Sequence, residues 1–217
     1  MIRILLVDDQ DLVREGLAQI IKTTTDVVVA GEAPDGQTAM SLLRRQSFDV
    51  VVLDIALPDQ TGLHWLKVIK DEQPTLAVLI LTMYDERQYA VRCMRAGAAG
   101  YLTKRHASSE LLTAIRRVAC GQKYITATVG AELATALEHH ASTASALDML
   151  SDRELEVLML LTDGHSMSDI AEHLMLSIKT VSTYRARLLQ KLNMNSNAEL
   201  IRYALQEGIT AQLAVKA

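Results

Sequence analysis

Between Met1 and about Gly121, short runs of β-branched and leucine residues alternate with stretches whose apolar side chains recur at three- and four-residue spacing, and no other feature limits the fold so tightly. The runs are Ile2 to Val7, Val27 to Ala30, Val50 to Leu53, Ala77 to Leu81 and Gly100 to Leu102. The helical stretches are Leu12 to Lys22, Gly36 to Arg45, Gly62 to Glu72, Glu86 to Ala96 and Ser108 to Cys120. Five strands each followed by a helix call for parallel pairing, because parallel neighbours need crossover helices and those helices bury both faces of the sheet. The pattern predicts an α/β fold with a five-stranded, doubly wound parallel sheet. Sheets of this kind bind ligands at the carboxyl ends of their strands.

Past residue 121 the composition changes. Residues 122–149 include "TATVGAELATALEHHASTASALDM", rich in Ala, Thr and Ser and poor in bulky apolar residues, and are expected to form a linker with a helix over Val129 to His140. Residues 150–217 are helical in pattern throughout. There Ser151 with Glu154, and Ser196 with Glu199, match capping boxes, while Gly164 and Gly208 are placed to end the same helices. The expected organisation is therefore one domain over 1–121, a linker over 122–149 and an all-α domain over 150–217, which suits a chain of 217 residues.

A net charge of −4 supplies no global attraction to nucleic acid or to a membrane, so any basic surface must be local. Cys93 and Cys120 have neither metal-ligand nor redox spacing, and the histidines, including the adjacent His139 and His140, show no metal-like grouping. The start "MIRILLVDDQD" meets acids too soon for a secretory core, and no apolar stretch approaches the roughly 18 residues of a membrane span. The expectation is a reduced, cytoplasmic chain without a membrane partner.

The acids at the strand ends carry the chemistry. Asp8 and Asp9 close the first strand, Asp54 the third and Thr82 the fourth, and Lys104 follows the fifth. Singly, each has an ordinary explanation as a helix cap, a turn residue or a solvated cation. In a doubly wound sheet, however, all five converge on one edge. Crowded carboxylates repel and lose hydration, which a divalent, oxygen-seeking cation relieves. Mg²⁺ suits the set, since it accepts a few carboxylate or carbonyl oxygens and keeps positions for water and a phosphoryl oxygen. Lys104 adds a compact positive charge and Thr82 a hydroxyl donor. Asp54, delivered by the buried run "VVVL", is placed as a nucleophile toward phosphorus, which would give an acyl phosphate.

The words that hold these residues, "LLVDDQ", "VVLDIALPDQTG", "ILTMYD" and "GYLTK", resemble in order and spacing the receiver domain of two-component response regulators. That resemblance implies a flavodoxin-like receiver over 1–121, with Mg²⁺ held by Asp8, Asp9, Asp54 and the backbone carbonyl of Ala56. It also implies a histidine kinase as partner, Asp54 as phosphoacceptor, and Thr82 and Lys104 as catalytic groups. Thr82 and Tyr101 would form a switch in which the hydroxyl approaches the phosphoryl group and the ring turns inward. Pro58 and Gly62 match the loop that starts the third helix beside the site. Met83 stands where a small residue is commoner and Arg105 where proline is; Met83 and Tyr84 are expected to narrow the approach to the phosphoryl group.

In the helical half, "SMSDIAEHLMLSIKTVSTYRARLLQKL" predicts a helix near Ser168 to Leu174, a turn through Met175 and Leu176, and a second helix capped by Ser177. That second helix has Lys179, Arg185, Arg187 and Lys191 and not one acid from Ser177 to Lys191. A basic helix in second position of such a motif suits the major groove of double-stranded DNA. Lys179, Thr180, Ser182 and Thr183 would meet base edges, Arg185, Arg187 and Lys191 phosphates, and Tyr184 either. Residues 150–209, with "LSDRELEVLMLL", "DIAEHLMLSIKTVSTYRARLLQKL" and "NAELIRYALQEGI", resemble the output domain of NarL/FixJ (LuxR-type) regulators. The resemblance implies a dimer contact on the last helix, at Asn197, Leu200, Ile201 and Ala204. Tyr184 stands where histidine is frequent, and Ser168 where a lysine is common.

Both resemblances imply a phosphorylation-dependent, DNA-binding transcriptional regulator, a homodimer on paired half-sites, catalysing only its own phosphoryl transfer and dephosphorylation. An aspartyl phosphohydrolase resembling the haloacid dehalogenases is the alternative. It would carry its second acid two residues after the nucleophile on the first strand, where this chain has adjacent Asp8 and Asp9. A third reading, a protein-binding regulator that does not touch DNA, would keep its promoter binding unaffected by charge reversal at Arg185 or Lys191.

Overall fold

The computed structural model describes residues 1–83, 87–126, 130 and 149–206. The chain divides into two compact units, the first built on Met1–Met83 and Tyr89–Leu133, the second containing the helices that follow. The expected helix over Val129 to His140, the histidine pair at 139 and 140, Tyr84 and the helix end at Gly208 lie outside the described residues.

The first unit is a five-stranded sheet in the order β2-β1-β3-β4-β5, made of β1 (Ile2–Val7), β2 (Val27–Ala33), β3 (Val50–Leu53), β4 (Ala77–Thr82) and β5 (Gly100–Thr103). Every pairing is parallel. The crossovers are α1 (Asp11–Ile21), α2 (Gly36–Arg45), α3 (Gly62–Glu72) and α4 (Arg87–Arg95), and α5 (Ala107–Ala119) follows a 3-10 turn at Lys104–His106. Ile4, Leu6, Val50, Val52, Leu79, Leu81 and Leu102 form one core with Leu17 and Ile21 of α1 and Leu111, Ile115 and Val118 of α5. The alternate residues Leu5, Val7, Val51, Leu53, Val78 and Ile80 are equally buried and face the other way. With both faces covered, the strands lack polar alternation, which is why they read as uninterrupted apolar runs.

β2 is longer than the expected Val27 to Ala30. Gly31, Glu32 and Ala33 lack strand propensity, but they continue the ladder opposite Leu5, Leu6 and Val7 after a register shift between Ile4 and Leu5. The segment after α5 is also tied down: Tyr124 accepts from the Tyr101 N–H at 2.9 Å and donates its own N–H to the Ala99 carbonyl at 3.0 Å. It runs beside Gly100 and partly covers the exposed edge of β5.

The second unit holds α6 (Asp152–Thr162), α7 (Met167–His173), α8 (Ile178–Lys191) and α9 (Asn197–Gln206). Ser151 and Glu154 form the expected capping box at the start of α6, and Gly164, at φ +85°, takes the left-handed turn that ends it. A second box, Ser166 with Asp169, starts α7. At α9 the box is incomplete: Ser196 Oγ accepts from Glu199 N at 3.3 Å, but the Glu199 carboxylate reaches back to Asn195 N instead. Ile170 and Ala171 of α7, Val181 and Leu188 of α8, and Leu200 and Ala204 of α9 are buried with the apolar body of α6. Met175, at φ +52°, makes the turn between α7 and α8. Among the described residues no helix is long and apolar enough to cross a membrane.

Candidate metal centre and nucleic-acid interface

β1 lies between β2 and β3, so the strand order reverses there and a crevice opens at the carboxyl ends of β1 and β3. Asp8 and Asp54 are the first residues beyond those strands, and each is only 2 % exposed. Their backbones remain in the ladder, with Asp8 N donating to the Ala33 carbonyl at 3.1 Å and Asp54 N to the Val7 carbonyl at 2.9 Å. Asp8 Oδ1 accepts from Gln10 N at 3.0 Å, and Asp54 Oδ1 from Ile55 N at 2.7 Å and Ala56 N at 3.3 Å. Each carboxylate thus has one oxygen held by backbone and one, Oδ2, turned to the crevice. Both Oδ2 atoms lie 2.6 Å from Lys104 Nζ, whose side chain is 7 % exposed.

Asp9 is exposed, yet one ligand oxygen from each of Asp8, Asp9 and Asp54 falls within 4.8 Å of the others. Two of these carboxylates, Asp8 and Asp54, are almost wholly out of contact with water. Burial, with the adjacent Asp8, pushes the Asp54 carboxyl up to about 6, although Lys104 pulls against them. For Lys104 burial disfavours the charge, but Asp54 and Asp8 outweigh it and raise its pKa. An all-oxygen donor set of three carboxylates fits a hard divalent cation.

Thr82, buried at the end of β4, lies opposite Thr103, the residue before Lys104, so Thr82 belongs to the same sheet edge. Tyr101 lies opposite Ile80 on β5 and is buried. Ala56 sits in the loop that α3 closes. Gly62 leaves no room there for a side chain: a Cβ on it would lie 2.1 Å from the Asp54 carbonyl oxygen and 2.7 Å from Ile55 Cα. Met83 is part-exposed beyond Thr82. One supporting residue escaped the sequence reading. Arg14 of α1 donates through Nη1 to the Asp8 carbonyl and pairs through Nη2 with Asp11, and only its helical spacing from Asp11 was visible in advance.

In the second unit Ser177 caps α8, its Oγ accepting from Thr180 N at 3.1 Å. Lys179, Ser182, Thr183, Ala186, Arg187 and Gln190 are exposed, a continuous stripe at three- and four-residue spacing along α8. Thr180, Tyr184 and Arg185 are half-buried at its margin, and Arg185 Nε donates to Asn197 Oδ1 at the start of α9. Lys191, at the end of α8, is engaged within the unit: its Nζ is 2.7 Å from Glu154 Oε2 and 3.0 Å from the Met149 carbonyl. Of the four residues expected at a dimer contact, Leu200 and Ala204 are fully buried in the single chain. Ile201 is half-buried, and among the described residues of α9 the exposed large apolar one is Leu205.

A sheet edge with a buried acid pair and lysine, joined to a helix-turn-helix unit with a basic stripe, defines a signalling receiver coupled to a DNA-binding output. Comparison with known proteins agrees. Residues 4–116 match the response regulator receiver domain, and residues 148–204 match the bacterial regulatory proteins of the luxR family. Response regulator UvrY of Escherichia coli (strain K12) is 37 % identical over 209 residues, 96 % of each chain. Response regulator GacA of Pseudomonas aeruginosa is 36 % identical across 96 % of this chain and 98 % of its own. A solved structure of the response regulator RcsB in complex with DNA aligns over 94 % of this chain and 98 % of that one, with 25 % identity and a TM-score of 0.59. The chain belongs to the NarL/FixJ family of two-component response regulators, with a receiver domain followed by a LuxR-type helix-turn-helix DNA-binding domain.

Proposed function

We propose that Asp54 accepts a phosphoryl group from a histidine kinase and that this modification controls promoter binding by the second unit. The observation that carries the reading is the buried trio of Asp8, Asp54 and Lys104, with both carboxylates 2.6 Å from Nζ and Asp9 in reach. In the transfer, Asp54 Oδ2 attacks phosphorus, the bond from phosphorus to the donor nitrogen breaks, and that nitrogen keeps the electron pair and takes a proton. Asp54 Oδ1 stays fixed by the Ile55 and Ala56 N–H groups, which leaves Oδ2 aimed at the crevice. Lys104 then exchanges a carboxylate for a phosphoryl oxygen, and Thr82 supplies a hydroxyl donor. Asp8, Asp9, Asp54 and the Ala56 carbonyl would hold Mg²⁺, which when bound neutralises charge developing on the transferred oxygens. The chain would catalyse only this transfer and the later loss of its phosphoryl group, in the cytoplasm.

The output would be a homodimer on paired half-sites, with the α8 stripe in the major groove. Lys179, Thr180, Ser182 and Thr183 would meet base edges, Arg185 and Arg187 phosphates, and Tyr184 either. The DNA complex of the related RcsB supports this direction. The test is labelling by a small phosphodonor with and without Mg²⁺, in wild type and Asp54→Ala, followed by promoter binding of both forms. Mg²⁺-dependent labelling lost in Asp54→Ala, with tighter DNA binding by the labelled chain, is the expected result. Equal labelling of the variant would overturn the assignment. Charge reversal at Arg187 that leaves promoter binding intact would favour a protein-binding output.

A further inference from the structure

The loop from Asp54 to Thr61 carries the Ala56 carbonyl, and two anchors hold it. The inner one is backbone: Leu57 N and Gly62 N both donate to the Ile55 carbonyl, at 3.1 and 2.8 Å. The outer one is the carboxylate of Asp59. Its Oδ1 accepts from Gln60 N at 2.8 Å, Trp65 Nε1 at 3.1 Å and Gly36 N at 3.4 Å, and its Oδ2 from Gln37 N at 3.1 Å. Gly36 and Gln37 open α2, whose N-cap Asp35 already serves Thr38 N at 2.7 Å. Asp59 therefore caps a helix other than its own and ties three segments together: the loop, α3 through Trp65, and α2.

The fit is close as well as polar. A Cβ on Gly36 would lie 2.0 Å from the Trp65 ring, so the indole rests directly on the α2 backbone while its N–H holds Asp59. Three donors converge on Oδ1 and a fourth holds Oδ2, so both oxygens are tied and the carboxylate has little freedom to shift. Ala56 lies between Asp54 and Asp59, three residues from the outer anchor.

We propose that Asp59 is a positioning residue for the divalent cation: by clamping the loop to α2 and α3 it sets where the Ala56 carbonyl stands relative to Asp8 and Asp54. This rests on the proposed receiver chemistry and deepens it. Groups that orient metal ligands from behind typically change metal affinity by about 10–100-fold when removed. Ala56 would be one ligand among several, so Asp59→Ala is expected to weaken Mg²⁺ binding by about tenfold, the low end of that range. Asp59→Asn keeps an oxygen for Trp65, Gln60 and Gly36 but loses the acceptor for Gln37, and should fall between.

The experiment is Mg²⁺ titration of the full chain by calorimetry and by the emission of Trp65, the single tryptophan, for wild type, Asp59→Asn and Asp59→Ala, with urea midpoints measured alongside. In phosphodonor labelling the shift should appear in the half-saturating Mg²⁺ concentration more than in the maximal rate. A graded loss of Mg²⁺ affinity, wild type above Asn above Ala, supports the proposal. Variants that are less stable but bind Mg²⁺ like wild type would overturn it and leave Asp59 a helix cap only. If Asp59→Ala does not fold, Asp59→Asn alone decides by the same criterion. Failure of the wild type itself to bind Mg²⁺ would instead sink the receiver chemistry.

Discussion

Lys191→Met removes one positive charge from the end of the recognition helix while keeping the apolar stem, and it separates a structural lysine from a DNA ligand. Lys191 Nζ sits 2.7 Å from Glu154 Oε2, and that same oxygen accepts from Ser151 N at 2.7 Å, so one carboxylate caps α6 and fastens α8 to it. Glu154 is 3 % exposed in its side chain and Lys191 36 %. Cutting a fully buried pair costs about 3–5 kcal/mol, while a hydrogen bond to a charged group contributes about 1.5–3 kcal/mol. With one partner a third open to water, the lower range applies, and the expected loss is about 2 kcal/mol. In a domain of this size about 1 kcal/mol moves Tm by 4–8 °C, so the melting transition should fall by about 8–16 °C.

Burial alone would raise the Glu154 carboxyl; the Lys191 ammonium and the Ser151 backbone more than reverse this and hold it below the usual carboxylate value. The folded chain thus binds that proton less readily than the unfolded one. The stabilisation is complete above the unfolded pKa and is lost as pH falls through the lower folded value. Scanning calorimetry of the full chain against pH should show this acid limb in wild type and a flatter one in Lys191→Met. In promoter titrations the variant should keep the wild-type slope of log K against log salt, whereas Arg187→Ala should lower it by about 0.9. An unchanged Tm combined with a slope reduced by about one phosphate contact would refute the structural reading of Lys191.

Gly62→Ala should destabilise the first unit by about 1–3 kcal/mol, because the new methyl meets backbone atoms of Asp54 and Ile55 that cannot swing aside. A urea midpoint equal to wild type, followed by Trp65 emission, would contradict that. Tyr124 donates its hydroxyl to Glu110, and burial together with that carboxylate pushes the phenol up to about 12 from its usual 10. The folded chain holds this proton more tightly, so the stabilisation is full below the unfolded pKa and is lost as pH rises through the folded one. Tyr124→Phe should cost about 1 kcal/mol at neutral pH and remove one late step, near 12, from the ultraviolet phenolate titration; an unchanged titration would assign that step elsewhere. Arg44→Ala breaks a pair whose side chains are 63 % and 38 % exposed, so its effect should stay under about 1 kcal/mol. A loss as large as that of Lys191→Met would refute ranking these pairs by burial.

Asp8, Asp54 and Lys104 were legible in the sequence because their meeting depends only on strand order. Any parallel sheet that runs β2-β1-β3-β4-β5 brings the ends of β1 and β3 side by side, whatever the loops do. The helix starts at Ser151 and Ser177 were legible because a cap is a short-range bond, while the Ser166 box was missed because its reaching acid is Asp169, shorter than the glutamate the pattern seeks.

Lys191 and Asp59 were not legible, and for one reason. Along the chain Lys191 stands in a segment without acids, yet its partner Glu154 lies 37 positions away on another helix. Asp59 looks like a loop acid after a proline, yet the N–H groups it caps lie 23 and 22 positions upstream. Leu200 and Ala204 show the apolar form of the same limit, since an amphipathic stripe at helical spacing fits a core and an interface equally well. In the single chain Leu200 and Ala204 fill the unit's own core against α6. The exposed side of α9, where Ala198, Arg202 and Leu205 stand, is the side open to a second copy. Leu205→Glu should then weaken self-association without lowering the helical unit's Tm, and a loss of stability with unchanged self-association would place Leu205 with the core instead.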